Sequence, residues 1–493
     1  MRERVGIVGA GFSGLLCAYL LEQTLGDNVD IVLFEESDRV GGRVQTTDLS
    51  QDYPSYEAGA AEFYDIAGNS QLLNLVHHLG LGTRLLSGTP YFVVNERVVR
   101  NDLDLKNLVG RRGMDRLRRF WEQGTALRPP CDYARAGQMH DNEHPWIRLT
   151  FDEVLAEIDD PFCQWFTEMQ CHSDLATEPS LTSGLFGMDN LLIDHPGYCS
   201  MYTLQGGNEG LVKALAERVG SPVLLNTPVY GIGAREDQGL HVKFGFNGED
   251  RDEIGIDSLI VTLPPPAIQT IRWSDLRLRR AVNGHVRHHD HSTTYLRVTL
   301  FFRKRFWRRV FPEDYFVSDA FGGVTVYDQS PDDGSAGMGI QSWLLAGINA
   351  RNLLPSSNKE IISTVLAAMP RRFGSLDGML LAGFVDRWAD ASGVSCLPGG
   401  VPLRSLDQRH SPDSRWPQLQ FVGDYLYDST LCGALDAAIY AVTRLGERHA
   451  ASTGKAVAAA TDVFNDAASS SSPSEPDNLS SAFFLDNRSH LGR

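Results

Sequence analysis

Residues 5–47 decide the fold of this chain, and they read VGIVGAGFSGLLCAYLLEQTLGDNVDIVLFEESDRVGGRVQTT. The apolar run Val5–Val8 predicts a strand, and the segment from Ser13 to about Leu25 predicts a helix. A second apolar run, Val29–Phe34, predicts a second strand. A strand, a glycine-rich turn, a helix and a further strand form a βαβ unit, so we expect an α/β fold with a Rossmann-like domain.

The turn between the first strand and the helix has the spacing Gly9-x-Gly11-x-x-Gly14. Gly9 allows a tight turn, Gly11 lets the backbone approach a pyrophosphate, and Gly14 lets the helix pack close to the sheet. The N–H groups of the first helical turn would face that pyrophosphate. Glu35 follows the second strand, 21 residues after Gly14, where an acid accepts hydrogen bonds from a ribose. These features together predict a dinucleotide site.

The segment that follows, ESDRVGGRVQTT, resembles the signature of the flavin amine oxidase superfamily. This superfamily includes monoamine oxidases, polyamine oxidases and L-amino acid oxidases. In such enzymes the second glycine pair folds the chain back over the pyrophosphate, and the arginine that follows, here Arg43, reaches the phosphate or the flavin. The resemblance implies FAD as the cofactor. A generic nucleotide-binding domain with a chance Gly-Gly-Arg turn is the alternative.

Two later segments resemble the middle and the end of the same FAD domain. SMYTLQGGNEGLVKALAERV, residues 200–219, precedes Val229, where family members contact adenine through the backbone. QFVGDYLYDSTLCGALDAAIYAVTRLGE, residues 420–447, carries a Gly-Asp pair and then a Gly-Ala pair that would begin a helix facing the flavin. The FAD contacts implied by the resemblance are Gly9, Gly11, Phe12, Ser13, Gly14, Glu35, Glu36, Gly42, Arg43, Gly59, Ala60, Ala61, Val229, Gly423, Asp424, Gly433 and Ala434.

The domain organisation predicted from these segments is discontinuous. The Rossmann-like FAD-binding domain comprises residues 1–80, 200–275 and 395–455, and a mixed α+β substrate-binding domain comprises residues 81–199 and 276–394. The Ser-rich, polar tail 456–493 is predicted to be disordered.

Composition excludes several classes of partner. The net charge of −17 offers no basic surface for nucleic acid. No apolar run reaches the roughly 18–20 residues that span a bilayer, so we expect no membrane contact. The seven cysteines form no CxxC pair, which is typical of a reducing compartment. We expect a cytoplasmic protein, and a homodimer remains open.

The chain carries one dinucleotide fingerprint, because Gly206–Gly210 lacks the GxGxxG spacing. A reductase or an NAD(P)H-dependent hydroxylase would usually need a second nucleotide site. We therefore expect an oxidase that transfers hydride from a C–N carbon of a small-molecule amine, amide or amino-acid-derived substrate to the flavin, with O2 as reoxidant. The alternatives are a flavin desaturase or protoporphyrinogen-oxidase-like C–C dehydrogenase, and an FAD-bound protein without activity.

Glu62, in YEAGAAEFYD, is the first candidate catalytic residue. The resemblance places this segment beside the flavin, where L-amino acid oxidases of the animal-venom type carry an arginine that binds the substrate carboxylate. An acid reverses that electrostatic preference, so Glu62 is predicted to anchor a substrate amine or amide N–H, or to accept its proton. The alternative is an acid that caps a turn or pairs with a surface arginine.

Arg297, in STTYLRVTLFFRKRFW, is the second candidate. It lies ten residues before Trp307, and the resemblance places a lysine there that holds a water near flavin N5. Arginine stays charged and cannot act as a base, but it could stabilise anionic reduced flavin or a substrate carbonyl. Strand alternation groups it with Tyr295 and Thr299. A solvent-facing arginine is the alternative.

Three further positions bear on the chemistry. Cys396 lies near a position that binds flavin covalently in some relatives, but its spacing differs, so we expect non-covalent FAD. Thr430 stands where monoamine oxidases carry one of a pair of tyrosines, which weakens the case for primary monoamines. The histidines of HVRHHDH lack the pattern of a zinc site, so we expect no metal and a solvated loop at His285, His288, His289 and His291.

Overall fold

The computed structural model describes residues 2–49, 53–86, 91–138, 144–195, 197–237, 239–246, 249–331, 337–454 and 457–464. Its centre is a parallel sheet with the strand order Val223–Leu224, Val29–Phe34, Glu3–Val8, Ser258–Val261 and Leu419–Phe421. Strands from the beginning, the middle and the end of the chain therefore share one sheet. The order reverses at the first strand, and ligands of open α/β sheets bind at the carboxyl edge of such a reversal.

Alternation along the strands sorts the side chains of this sheet into two cores. Val5 and Ile7 pack on the face covered by the helices Phe12–Leu25 and Leu431–Thr453, whereas Val8 packs on the opposite face. Because both faces are covered, the strands read as nearly continuous apolar runs. The two predicted strands and the predicted helix of the βαβ unit are confirmed.

A second, mixed sheet lies in the segments predicted to bind substrate. Its strand order is Leu380–Trp388, Tyr295–Phe302, Gly339–Ala346, Val324–Asp328, Tyr315–Ser318, Tyr91–Val94 and Arg97–Val99. On Tyr295–Phe302 the residues Leu296, Val298 and Leu300 pack in an apolar core. Arg297 alternates with them, as its predicted strand face requires.

Smaller sheets and the helices complete the fold. The remaining strands are Thr46–Thr47 with Tyr56–Glu57, Phe63–Ile66 with Cys199–Leu204 and Thr83–Leu85, and Glu249–Ile256 with Leu240–Phe246, Val229–Ala234 and Arg272–Trp273. The other α-helices are Gln71–His78, Asp102–Leu127, Pro130–Tyr133, Phe151–Leu155, Pro161–Leu175, Gly184–Leu192, Gly210–Arg218, Pro265–Thr270, Leu276–His289, Gly347–Leu353, Asn358–Ala367 and Leu406–His410. None of the helices in the described ranges is long and apolar enough to cross a bilayer.

The prediction of a solvated histidine loop is wrong. Most of the cluster lies in the last turns of the helix Leu276–His289. His285 is 1% exposed, and its ring lies 4.6 Å from that of His289, one helical turn further along. Val282 and Val286, one turn apart on this helix, both pack in the same apolar core. Only His291 follows the helix end.

Residues 457–464, part of the tail predicted to be disordered, are ordered and include a short helix, Ala460–Val463. Ala460 and Phe464 are buried, at 2% and 0% exposure, in the core beside the helices Phe12–Leu25 and Leu431–Thr453. These two apolar side chains interrupt the polar composition and are enough to dock the segment. Residues 465–493 lie outside the described residues.

We predict that Gly14→Ala destabilises the protein, because a Cβ at Gly14 would lie 2.0 Å from the carbonyl oxygen of Gly9. Overpacking of this kind costs about 1–3 kcal/mol of unfolding free energy, which chemical denaturation measures. The control is Gly210→Ala, where a Cβ meets no atom within 4 Å. Equal unfolding free energies for both variants and wild type would contradict the close packing of the first helix on the turn.

Candidate active site

The two glycine turns form a cradle in front of the first helix. Gly11 pairs with Gly41 in an isolated parallel bridge, and the Gly41 N–H donates to the carbonyl of Ala10 at 2.9 Å. A Cβ on Gly11 would fill the gap to Gly42, whose Cα would be 3.8 Å away. Glycine therefore keeps open the space predicted for the pyrophosphate, and the helix points its N-terminal N–H groups there, Phe12 and Ser13 being its first two residues.

Glu35 lies at the ribose end of this cradle. Its Oε2 accepts a hydrogen bond from Ala10 N at 2.8 Å, and its Oε1 accepts one from Ser37 N at 3.0 Å. These bonds fix the carboxylate at the carboxyl end of the second strand. Glu36 is exposed, and Gly9, with φ of +101°, forms the tight turn opposite.

Arg43 and Asp424 form an ion pair that joins the first and last segments of the FAD domain. Arg43 Nη2 lies 2.5 Å from Asp424 Oδ1, and Arg43 Nη1 donates to the Gly393 carbonyl at 3.4 Å. Asp424 is 6% exposed, so its charge is balanced mainly by this arginine. Gly423 precedes it at the end of the strand Leu419–Phe421.

The remaining predicted FAD contacts lie on three backbone segments. Gly59 packs against the chain after the cradle, because a Cβ there would lie 2.1 Å from Arg43 O; Ala60 N donates to that same oxygen at 3.1 Å, and Ala61 is buried beside it. Val229 begins the strand Val229–Ala234.

Gly433 and Ala434 lie in the first turn of the helix Leu431–Thr453. Thr430 caps this helix, since its Oγ1 accepts from Cys432 N and Gly433 N. A Cβ on Gly433 would lie 2.2 Å from Asp428 Oδ1, so only glycine fits there. An open cradle, an acid at one end and two helix N-termini fit the phosphates, ribose and electron-rich ring edge of FAD.

Glu62 lies in an enclosed cluster of titratable side chains that also includes Arg297, Asp174 and Asp194. It is enclosed by protein and yet keeps accessible surface. Its Oε1 accepts a hydrogen bond from the Tyr64 hydroxyl at 3.3 Å, and its Oε2 is buried without a hydrogen-bond partner. Burial raises the pKa of Glu62, while Arg297 and the hydroxyls of Tyr327 and Tyr64 oppose the rise. Glu62 is not a surface acid paired with a surface arginine.

Arg297 is 4% exposed, so the solvent-facing alternative is wrong. Its Nη1 donates to Ser342 Oγ at 3.2 Å, and its Cζ lies 5.8 Å from the centre of the Tyr327 ring. Nε is buried without a partner, and no carboxylate among the described residues lies within 4.0 Å of the guanidinium. A buried guanidinium without an ion pair leaves donors for a ligand.

Carboxylates surround Arg297 at longer range. Asp386 lies opposite it on the neighbouring strand, and Asp386 Oδ2 is buried without a partner. Burial raises the pKa of Asp386 to about 6, although Arg297 lowers it. Burial also raises the pKa of Glu57 to about 7, and Arg297 again opposes the shift.

Two further acids lie in the cluster around Glu62, Asp174 and Asp194, and the sequence analysis did not predict either of them. The Tyr315 hydroxyl donates to Asp194 Oδ1 at 3.4 Å. Burial raises the pKa of Asp174 and that of Asp194, and Glu62 adds to both shifts. No motif marks either residue, and only the fold brings the end of the helix Pro161–Leu175 near Glu62.

Tyrosine side chains pack among these charged groups. Tyr315 and Tyr327 have ring centres 6.2 Å apart, and Tyr295 packs against the same small cluster. The Tyr295 hydroxyl donates to the Ser173 carbonyl at 2.5 Å, which ties the central strand to the helix that ends beside Asp174. Side chains alternate along the strand Tyr295–Phe302, and this alternation predicted that Tyr295 shares a face with Arg297.

Trp388 ends the strand Leu380–Trp388, and Cys396, the position considered for a covalent flavin, follows it in the chain. Cys396 is partly buried, and burial raises the pKa of its thiol to about 12. Trp388 donates its indole N–H to the Ala58 carbonyl at 2.8 Å, which fixes the backbone before Gly59. In the part of the chain that the structure describes, no cluster of histidine, cysteine and acidic side chains is arranged to hold a metal.

Comparison with known proteins agrees with this geometry. Residues 12–446 match the profile of the flavin-containing amine oxidoreductases. The chain belongs to this family. FAD is thus its cofactor, and the protein is an FAD-dependent oxidoreductase that takes hydride from a carbon bearing nitrogen, with O2 as the reoxidant.

Individual relatives extend over most of the chain. A flavin-dependent L-tryptophan oxidase of Lentzea aerocolonigenes is 26% identical, covering 89% of this chain and 97% of the relative. Putrescine oxidase bound to putrescine has a TM-score of 0.73 at 18% identity over 90% of this chain and 99% of its own. Cyclohexylamine oxidase from Brevibacterium oxydans has a TM-score of 0.71 at 18% identity over 91% of this chain and all of its own.

Relatives that act on other bonds match much less of the chain. A coproporphyrinogen III oxidase of Mycobacterium tuberculosis is 37% identical over 83 residues, which are 17% of this chain and 18% of that protein. The C–C dehydrogenase alternative is therefore not favoured. The amine oxidase architecture, by contrast, covers 90% of the chain in putrescine oxidase and 91% in cyclohexylamine oxidase.

We predict that Arg43→Met weakens FAD binding about tenfold or more, because Asp424 would be left as a buried charge without its partner. Titration of the apoprotein with FAD measures the dissociation constant. Arg2→Met is the matched control, since Arg2 pairs with Asp27 at the surface. Equal FAD affinity in both variants would show that the buried pair does not support the cofactor site.

Proposed function

We propose that the substrate is a small organic ammonium ion, and that Glu62 holds it and accepts its proton. The supporting observation is the buried Oε2 of Glu62, an acceptor without a hydrogen-bond partner. A buried acceptor of this kind costs free energy unless a ligand donates to it. A hydrogen bond from an ammonium group to a carboxylate is roughly twice as strong as one between neutral groups.

The acidic side chains near Glu62 support the same substrate class. Asp174 and Asp194 lie near Glu62, and the charges that act on them are acidic. Burial and mutual repulsion raise the pKa of these acids, and a bound cation would relieve both effects by favouring their ionised forms. The relative from Lentzea is named as an oxidase of an α-amino acid; the acid at position 62 argues for an amine without a carboxylate at the corresponding place.

The reaction follows from these residues. Glu62 takes a proton from the substrate ammonium, which gives the free amine with its lone pair. FAD, when bound, supplies the hydride acceptor and passes the electron pair to O2, giving hydrogen peroxide. Loss of hydride from the C–N carbon then leaves an iminium cation, and the proton stays on Glu62. Arg297 supplies a fixed positive charge and does not accept protons.

We also propose a specialised biosynthetic role in the cytoplasm. The departures from the family at Glu62 and Arg297 support a specialised substrate. All seven cysteines are free thiols, in keeping with a reducing compartment. Whether the enzyme forms a homodimer remains a prediction.

The substrate class is tested with matched pairs of compounds that differ only in a carboxylate, such as tryptamine with L-tryptophan and cadaverine with L-lysine. Peroxide release measures turnover of each compound. We expect the amine of at least one pair to react and its amino acid to react at least about tenfold more slowly, because the acids repel the carboxylate. Turnover of amino acids with inert amines would overturn the proposal.

We predict that Glu62→Gln lowers the rate of flavin reduction about tenfold or more, in the range of lost acid–base catalysis. Anaerobic stopped-flow absorbance measures this rate. The wild-type rate should fall as the pH drops through the raised pKa of Glu62, because the protonated acid cannot accept a proton, and the variant should lack this dependence. Glu217→Gln, at an exposed helix position, is the control; wild-type kinetics in Glu62→Gln would exclude Glu62 from the mechanism.

A further inference from the structure

Two buried histidines flank the segment 421–427, which we call the cofactor turn because it carries Gly423 and Asp424. His285 approaches it from the helix Leu276–His289, and His410 approaches it from the helix Leu406–His410. Their exposures are 1% and 0%. The proposed mechanism uses Glu62, Arg297 and the neighbouring acids, and gives these two histidines no role.

His285 supports the first half of the turn. Its ring stacks on Phe421 with centres 4.4 Å apart and an interplanar angle of 18°. Its Nε2 lies 3.5 Å from the hydroxyl of Tyr425, the residue after Asp424. Its Nδ1 is buried without a hydrogen-bond partner. A second proton on this ring would therefore have no acceptor in place.

His410 supports the second half. Its Nδ1 lies 2.8 Å from the Phe421 carbonyl, and its Nε2 lies 3.1 Å from the Tyr427 hydroxyl. A carbonyl oxygen only accepts, so Nδ1 carries the proton and Nε2 accepts from Tyr427. The ring also stacks on Tyr440, with centres 4.4 Å apart. The neutral imidazole thus satisfies both nitrogens.

The charged groups that face these rings disfavour a second proton. Around His285 they are Arg404, His288, His289 and His410, all basic, and Tyr425. Around His410 they are Arg409, which is itself 3% exposed, and Asp407, with the hydroxyl groups of Tyr427 and Tyr440.

Burial and these neighbours lower both histidine pKa values. Burial first, then Arg404, brings the pKa of His285 well below its usual value. Burial lowers the pKa of His410 to about 3, although its bond to the Phe421 carbonyl opposes the shift. Burial likewise lowers the pKa of His288 to about 4.

We propose that His285 and His410 are positioning residues for FAD, which as neutral imidazoles clamp the cofactor turn so that Asp424 stays opposite Arg43. The clamp rests on FAD binding and is independent of the substrate proposal. Opening the turn exposes both rings to water, where a histidine titrates near pH 6.5. The closed clamp binds fewer protons than the open one, so closure is favoured above that pH and is lost as the pH falls. FAD should therefore leave in mild acid.

The test measures FAD release by its fluorescence after rapid filtration, between pH 8 and pH 4.5, on the purified holoenzyme. We expect wild type to retain FAD above pH 7 and to release it between about pH 6 and 5. His285→Phe keeps an aromatic ring on Phe421 and cannot be protonated. It should hold FAD to a pH at least about 0.5 unit lower than wild type. A purely structural role for the ring predicts earlier release.

Two more variants keep the test decisive. Tyr425→Phe removes the hydroxyl that faces His285 Nε2 and should raise the dissociation constant for FAD at pH 8. It should do so without removing the acid-induced release. His77→Gln, at an exposed helix position, should match wild type. Retention of FAD by wild type at pH 4.5, or identical release curves for wild type and His285→Phe, would overturn the clamp. If His285→Phe does not fold, an unchanged FAD affinity in Tyr425→Phe would overturn it.

Discussion

The ion pair between Arg43 and Asp424 is the interaction on which the rest of the structure depends. It joins the segment that follows the first βαβ unit to the segment before the last helix, 381 residues apart in the sequence. The glycine turns define the cradle only if this closure holds, because the last helix presents its N-terminus from the far segment. Glu62 follows Gly59 on the segment that packs against the backbone of Arg43.

The charge distribution separates two environments within one molecule. The cluster that includes Glu62 collects carboxylates around one buried guanidinium, and the acids there are raised in pKa by burial. The cofactor turn is held instead by imidazoles that burial keeps neutral. Burial disfavours the charged form of both kinds of group, so it raises the pKa of the carboxyl groups and lowers that of the imidazoles.

The sequence predicted the parts of the structure that local rules determine. The strand Val29–Phe34, the first helix and the alternating face of Arg297 all follow from spacing within a few residues. Asp174, Asp194 and the tyrosines Tyr315 and Tyr327 could not be predicted, because long-range packing brings them to Glu62. The prediction of a solvated loop at the histidines was wrong. The segment is mostly polar, but Val282 and Val286 pack in an apolar core and the chain there is helical.

The central claim, that three distant segments enclose one FAD, is tested most directly by hydrogen–deuterium exchange of the apoprotein with and without FAD. We predict slower exchange on FAD binding in all three segments: at residues 9–14 and 41–43 in the first, around Val229 in the second, and at residues 423–434 in the third. Protection limited to residues 9–14, or a protein that binds no FAD at saturating concentration, would contradict it.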